Sequence, residues 1–458
     1  MKKEILFTGL FVANFITGIF AQSFTTSGPR TIFDLAADKG TGKYTFFNFD
    51  SGKEVSVSDS NSTNWHIGFS GTTIILNSGT SGPGTVTGQM LSGNNFESQT
   101  SAPTSAYSSD GATAKVVPTG AGNGWYNYNY VPADGGPHTI TPIANKLIAV
   151  KLADGRYVKV EILNYYQGAP LNVPLTGSPY AGTGRFYSFR YLTSAAASTD
   201  WSQLITKITN LRADYNNNQF LNLASADTVL VSDSNSSKWD LAFKGTTILV
   251  NSGLSGPGQD SAQVVSVAFD AYNTASINGW NSDNASGKAI PTGSGNGWYN
   301  YDATTHLISS NAGKTIVLKT ASERFVKIFI ESYYKDNNTS GATKYFTLSY
   351  YFQPDGTTRL TTGLANPGTV TSISNSSNNN SLKLFPNPAS ISDQNIKIGN
   401  ENIWTGFTAK IYDMKGNMVF NNNISGTGEL TGLHLQSGIY LVSIEGEEKR
   451  FQQKLVIE

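Results

Sequence analysis

The sequence predicts an all-β protein: two tandem copies of one β domain, then a small C-terminal β-sandwich. Three observations carry this. Residues 58–84 (SDSNSTNWHIGFSGTTIILNSGTSGPG) return at 232–258 as SDSNSSKWDLAFKGTTILVNSGLSGPG, 174 positions on and without a gap. A second block, PTGAGNGWYNY at 118–128, returns as PTGSGNGWYNY at 291–301. Between and around them, large apolar residues alternate with small or polar ones, the period of a strand with one buried face. A Trp, a GTTI, an NSG and an SGPG kept in one register mark domain duplication.

Composition narrows the functional classes. At 458 residues the chain suits about three domains of roughly 150 residues each. Net charge is zero and only 14% of residues are charged, which argues against a nucleic-acid surface, since that needs a basic stripe. The chain contains no cysteine, so structural disulfides, catalytic thiols and thiolate metal sites are excluded. No phosphate loop, G-x-S-x-G or H-E-x-x-H occurs, and no carboxylate pair recurs in both copies. The expectation is a binding protein and not an enzyme.

Residues 1–21 read as a signal peptide: Lys2 and Lys3, an apolar run from Ile5 to Phe20, and Ala21 at the cleavage position. That run is short for a bilayer span and is broken by Asn14, and no other stretch suits one, so the mature chain, starting near Gln22, is expected to lack a transmembrane segment.

The first repeat occupies residues 22–198. Tyr44–Phe49 and Glu54–Val57 read as strands around the turn at Asp50–Gly52. In the tandem stretch, Trp65, Ile67 and Phe69 are expected on one strand face, as are Trp239, Leu241 and Phe243 in the second copy. Thr72–Leu76 is β-branched and suits the next strand. Residues 85–115 are Gly-, Ser- and Thr-rich and read as a long loop. Lys146–Leu152 and Tyr157–Leu163 form a hairpin about Asp154-Gly155, and Phe186–Tyr191 closes the domain.

The second repeat, residues 199–364, keeps the same order. Asp200–Leu211 reads as a short connecting helix with Trp201, Leu204, Ile205 and Ile208 on one face. Residues 365–381 are Asn/Ser-rich and read as a flexible linker. Residues 382–458 then supply five short strands around turn residues, suited to a small Ig-like sandwich.

Two family resemblances rest on quoted residues. The C-terminal module, with LFPNPAS at 384–390, KIYDMKGNMV at 410–419 and SGIYLVSIE at 437–445, resembles the type A C-terminal sorting domain of the type IX secretion system of Bacteroidota. That resemblance implies contact between residues 382–458 and the type IX machinery, passage through the outer membrane, removal of the domain, and secretion or attachment to the outer-membrane surface. The repeats, through WHIGFSGTTIILNSG, WDLAFKGTTILVNSG and the aromatic pairs of LNYY (163–166) and ESYY (331–334), are similar to the HmuY-like family, named for a haem-binding surface protein of that phylum. In haem-binding members two axial side chains, His–His or Met-containing, hold the iron. The resemblance implies haem, or a haem-carrying protein, as partner.

Haem ligation draws on His, Met, Tyr or Cys. Outside the signal peptide and sorting module the His and Met inventory is His66, His138, His306 and Met90. His138 and His306 fall at one position when aligned on the hairpin that follows, and each trails a WYNY block. His138 is the leading axial candidate, with His66 or Met90 as partner; His306 stands alone in the second repeat. Against this, the favoured reading of His66 is an exposed polar residue on a half-wet strand, with Asp240 in its place in the second copy. Trp125, Tyr126 and Tyr128, with Trp298, Tyr299 and Tyr301, read as core aromatics or as a platform for sugar rings. The alternative function is a non-haem surface protein for glycan or protein contact.

Overall fold

The computed structural model describes residues 24–37, 43–361, 383–390, 392, 395–399, 407–413, 418–424, 428–445 and 450–458. The signal peptide and the 365–381 linker lie outside the described residues. The chain divides into two compact units, one running to Asn366 and one from Pro367 on. Among the described residues every named strand pairing is antiparallel, and no helix is long and apolar enough to cross a membrane.

In the first repeat a five-stranded sheet runs in the order Arg30–Ala36, Gly184–Thr193, Tyr157–Tyr166, Lys146–Lys151, Thr87–Ser92. A four-stranded sheet, Lys53–Val55, Thr45–Asn48, Ile67–Ser70, Thr73–Leu76, packs on it. Phe47, Phe69, Ile74 and Leu76 from the small sheet meet Ile148, Val158, Tyr187 and Phe189 from the large one, and all are buried. The second repeat reproduces both sheets. Its large one runs Thr206–Arg212, Thr343–Gln353, Phe325–Tyr334, Thr315–Lys319, Ser261–Val265; its small one runs Asp227–Val229, Gln219–Asn222, Leu241–Lys244, Thr247–Val250.

The repeated motif is a lock between these layers. Ile67 and Phe69 enter the main core, as predicted, but Trp65 does not share their face. It sits just before the strand and packs with Phe46, at 4.5 Å between ring centroids, and with Ile75, while its indole N–H donates to Ser60 O at 3.0 Å. Trp239 repeats this with Phe220 and Ser234. The fully buried Asn77 donates to Ser62 O at 2.9 Å and Trp65 O at 2.8 Å, and accepts from Gly84 N at 2.8 Å. Asn251 makes the same three bonds. The SGPG tail follows from this packing: a Cβ on Gly82 would lie 2.3 Å from Asn77 Oδ1 and 2.6 Å from the Trp65 ring.

Within the repeats, one expected loop and one expected helix are strand or extended chain instead. The expected loop at 85–115 contains the strand Thr87–Ser92, which pairs with Lys146–Lys151 and places Met90 opposite Ile148. Its small residues answer close packing, since a Cβ on Gly88 would lie 2.6 Å from Leu76 Cδ1. The expected helix at 200–211 is instead an extended connector leading into the strand Thr206–Arg212. Its apolar residues serve two cores: Trp201 and Leu204 join one cluster, Ile208 and Leu211 another. β-branched Thr206, Ile208 and Thr209 suit a strand with a partner on each side.

The repeats are fused through their large sheets. Leu147, Ala149 and Leu192 of the first pack with Val317, Phe325 and Tyr351 of the second, with Trp201 between. Lys159 donates to Phe96 O, Gln99 O and Trp201 O at 2.6, 3.0 and 2.9 Å, tying the connector down. The N-terminal strand Thr25–Ser27 pairs with Thr206–Arg212, making the second repeat's large sheet six-stranded before the chain crosses to Arg30–Ala36 in the first.

The C-terminal unit is a sandwich of a three-stranded sheet, Lys383–Phe385, Ile396–Gly399, Glu429–Leu430, and a four-stranded sheet, Met418–Asn423, Thr408–Tyr412, Gly438–Glu445, Arg450–Ile457. Leu384, Ile396 and Ile398 from one face Ile411, Val442 and Leu455 from the other. Ile396–Gly399 and Glu429–Leu430 were not expected as strands.

Candidate functional site

Each repeat carries a two-stranded ribbon ending in an exposed histidine. In the first, Tyr126–Val131 pairs with Gly136–Pro142. Buried Trp125 anchors its base, donating from Nε1 to Thr72 O at 2.9 Å, and the N–H of Ile140 donates to Tyr166 Oη at 2.8 Å. Beyond these anchors the ribbon reaches water. Tyr128 and Tyr130 are 48% and 45% exposed. His138 is also exposed, shares a 2.5 Å hydrogen bond through Nδ1 with Tyr128 Oη, and stacks on Tyr130 at 4.3 Å. Its φ is +56°, the left-handed region that costs a non-glycine residue about 1 kcal/mol.

The second repeat builds the same contact. Trp298 Nε1 donates to Thr246 O at 2.9 Å, Ile308 N–H donates to Tyr334 Oη at 2.8 Å, and His306 Nδ1 meets Tyr301 Oη at 2.6 Å. His306 has φ +57°. The aligned position of the two histidines is therefore a spatial identity, down to backbone conformation and hydrogen-bond partner. One difference is chemical: Ala303 stands two residues beyond Tyr301, where the first repeat has Tyr130 two beyond Tyr128, so His306 has no stacked ring of that kind.

In the tautomer whose Nδ1–H donates to the phenol oxygen, Nε2 of the imidazole carries the lone pair a metal requires; in the other, the phenol O–H donates to Nδ1 and Nε2 keeps its proton. The aromatics thus divide between the two readings of the sequence: Trp125, Tyr126 and Trp298 are core, while Tyr128 and Tyr301 are exposed partners of histidine. Their role was missed because ribbon pairing, not sequence spacing, brings Tyr and His together; the retained WYNY–His order was the available signal.

His66 and Met90 lie elsewhere. His66 faces the interior, with a side chain only 12% exposed. Its Nδ1 accepts from Phe49 N–H at 3.0 Å and its ring stacks on Phe49. Burial holds its pKa below the ordinary 6.5. Asp240 takes over this job, its Oδ2 accepting from Leu223 N–H at 2.6 Å. Imidazole and carboxylate are thus interchangeable acceptors for one strand-end N–H. Met90 packs against the main core of the first repeat. Among the described contacts neither residue meets His138, and no group of three or more His, Asp or Glu gathers as a metal cage. Among the described contacts each ribbon presents one imidazole, His138 or His306.

Comparison with known proteins gives this arrangement a context. Residues 41–173 match the family model for HmuY protein, and residues 383–458 match that for the secretion system C-terminal sorting domain. No curated protein matches the chain. Similar solved structures include a protein of Bacteroides vulgatus described as HmuY-like and haem-binding, at 19% identity, covering 33% of this chain and 93% of that one with a TM-score of 0.24. The apo HmuY analogue of Tannerella forsythia matches at 13% identity, 32% and 95% coverage and a TM-score of 0.22. A protein of Bacteroides fragilis described as a lipoprotein matches at 15% identity, 32% and 90% coverage and a TM-score of 0.24. The chain carries an HmuY-family domain in its first repeat and a type IX sorting domain at its C-terminal end. It is an exported protein, secreted or held at the cell surface.

Proposed function

We propose that this is an exported haem- or porphyrin-binding protein that takes its ligand on the two His–Tyr ribbons. The observation that carries the reading is the duplicated contact itself. Two exposed imidazoles, at positive φ, are each oriented by a phenol through Nδ1. Surface histidines with no task have no reason to share strained backbone and partner across two copies that differ at His66 and Asp240. His138 and His306 would each supply one axial nitrogen, and the iron would supply the coordination that fixes the ligand. Tyr128 and Tyr130 would lie beside the macrocycle of the first site. The family match to residues 41–173 supports haem as the ligand class. Removal of residues 382–458 on passage through the type IX machinery belongs to the same reading, and mass spectrometry of the outer-membrane and medium fractions tests it.

Haemin titration of the purified chain, followed at the Soret band, decides the function. Two equivalents with a sharp, shifted band are expected, falling to one in His138→Ala and to none when His306→Ala is added. A shifted band that persists in the double variant overturns the assignment. An absent band in the unaltered chain leaves glycan or protein contact as the function of the ribbons.

A further inference from the structure

The two repeats treat one position in opposite ways. Arg156 and Arg324 are equivalent: each follows the first strand of the central hairpin, and its carbonyl accepts from Leu152 N–H or Thr320 N–H at 2.8 Å. Arg324 is buried, donating to Pro354 O, Ser322 O and Ala169 O. The last acceptor comes from the first repeat, whose loop at 167–183 reaches across and lays Leu171 against Gly356. The corresponding loop of the second repeat, 335–342, is far shorter. Arg156 receives no such plug. Its Nε and Nη2 hold Asp154 and Asp50 at 2.7 Å each, leaving Nη1 outside both ion pairs.

An open cleft of about 800 Å³ lies at Arg156, within the range of small-ligand sites. Buried Phe49, Tyr191 and Leu192 form its apolar floor. The rim is hydroxyl-rich, with Thr26, Ser27, Thr193 and Ser194, and Gln203 adds an amide. Asp50 and Asp200 lie in the wall, Asp50 with its side chain 45% exposed. Each guanidinium already faces a carboxylate: Arg156 faces Asp50 and Asp154, and Arg30 faces Asp227 at 3.9 Å. An anionic ligand would find no unneutralised cation. A neutral polyhydroxylated ring, whose hydroxyls both donate and accept, matches this wall of hydroxyl, carboxylate, amide and guanidinium groups.

We infer that this cleft is a binding site for a neutral saccharide, separate from the His–Tyr ribbons and built around Arg156, whose equivalent Arg324 is instead covered. The full-length chain is applied to an immobilised array of neutral and uronate-containing oligosaccharides. Binding to neutral glycans is expected, with affinity falling about ten-fold or more in Ala195→Trp, which fills the cleft from an exposed position, and in Arg156→Met. His138→Ala with His306→Ala leaves it unchanged, which separates this site from any glycan contact made by the ribbons. Since Arg156→Met also removes two ion pairs, the melting temperature of Ala195→Trp is the folding control. Absence of neutral-glycan binding, a preference for uronates, or full affinity in a normally folded Ala195→Trp overturns the inference.

Discussion

The first and second repeats fold alike through different chemistry. Wherever a side chain closes the scaffold, the two agree: Trp65 and Trp239, Asn77 and Asn251, and Tyr166 and Tyr334 make matching bonds. At two charged positions they part, although the buried acceptors Asp110 and Asp283 are kept. His66 stands against Asp240, and Arg190 with its two carboxylates stands against Ser349. The difference teaches that one backbone geometry accommodates different charges at these positions.

The strongest check on the shared scaffold is truncation of the locking tryptophans. Trp65→Ala and Trp239→Ala should each lower stability by about 3–5 kcal/mol, with similar losses in chemical denaturation. A large inequality between them would show that one repeat holds the other together. Next comes the unshared charge. Arg190 holds Glu97 Oε1 at 2.6 Å and Glu161 Oε2 at 2.5 Å beneath the Phe96 ring. Arg190→Ala strands two carboxylates and should cost about 3 kcal/mol. Ser349→Ala removes one hydroxyl bond to Glu331 and should cost about 1 kcal/mol.

The acid response should divide the repeats. Burial lowers the His66 pKa, so the folded state binds fewer protons than the unfolded one just below pH 6.5, and the first repeat loses stability as pH falls through that window. Burial raises the Asp240 pKa, and burial followed by the neighbouring Asp240 charge raises that of Asp260. The folded state then holds protons the unfolded state has released, so the second repeat loses stability as pH rises above the ordinary carboxylate range. Asp240→Asn should stabilise the chain by on the order of 1 kcal/mol at neutral pH and flatten that limb of the pH–stability curve. The same slope in variant and parent would break the contrast. The smallest effect is expected at the ribbons: Tyr128→Phe and Tyr301→Phe should change stability by less than about 0.5 kcal/mol, because both phenols are exposed.

Much of the architecture was legible because duplication turns weak local signals into paired ones. Thr73–Leu76, the central hairpin and the closing strand all follow alternation and turn chemistry. Failures came where tertiary partners decide. Trp201 and Leu204 have helical spacing, yet they are claimed by the inter-repeat core. The Thr87–Ser92 strand is small-residue and polar because it packs tightly at a sheet edge. Trp65 obeys the alternation count but precedes the strand that would enforce it. At the site, the equivalence of His138 and His306 was readable from alignment. Their tyrosine partners were not, since hairpin register brings residues ten and five apart into contact. His66, a candidate donor for iron by residue type, spends its Nδ1 on Phe49 N–H, a contact no local pattern announces.

The strand Thr25–Ser27 belongs to the first repeat by position and to the second by hydrogen bonding. Excision of either copy along the sequence boundary therefore damages both. The first would carry away a strand with nothing to zip onto, and the second would expose Thr206–Arg212 as a bare edge, the kind of surface on which β proteins polymerise. Phe24, just ahead of that strand, packs against the second repeat's core and deepens the dependence. The duplication has become a single inseparable object, whose first described residues complete the sheet of its second half.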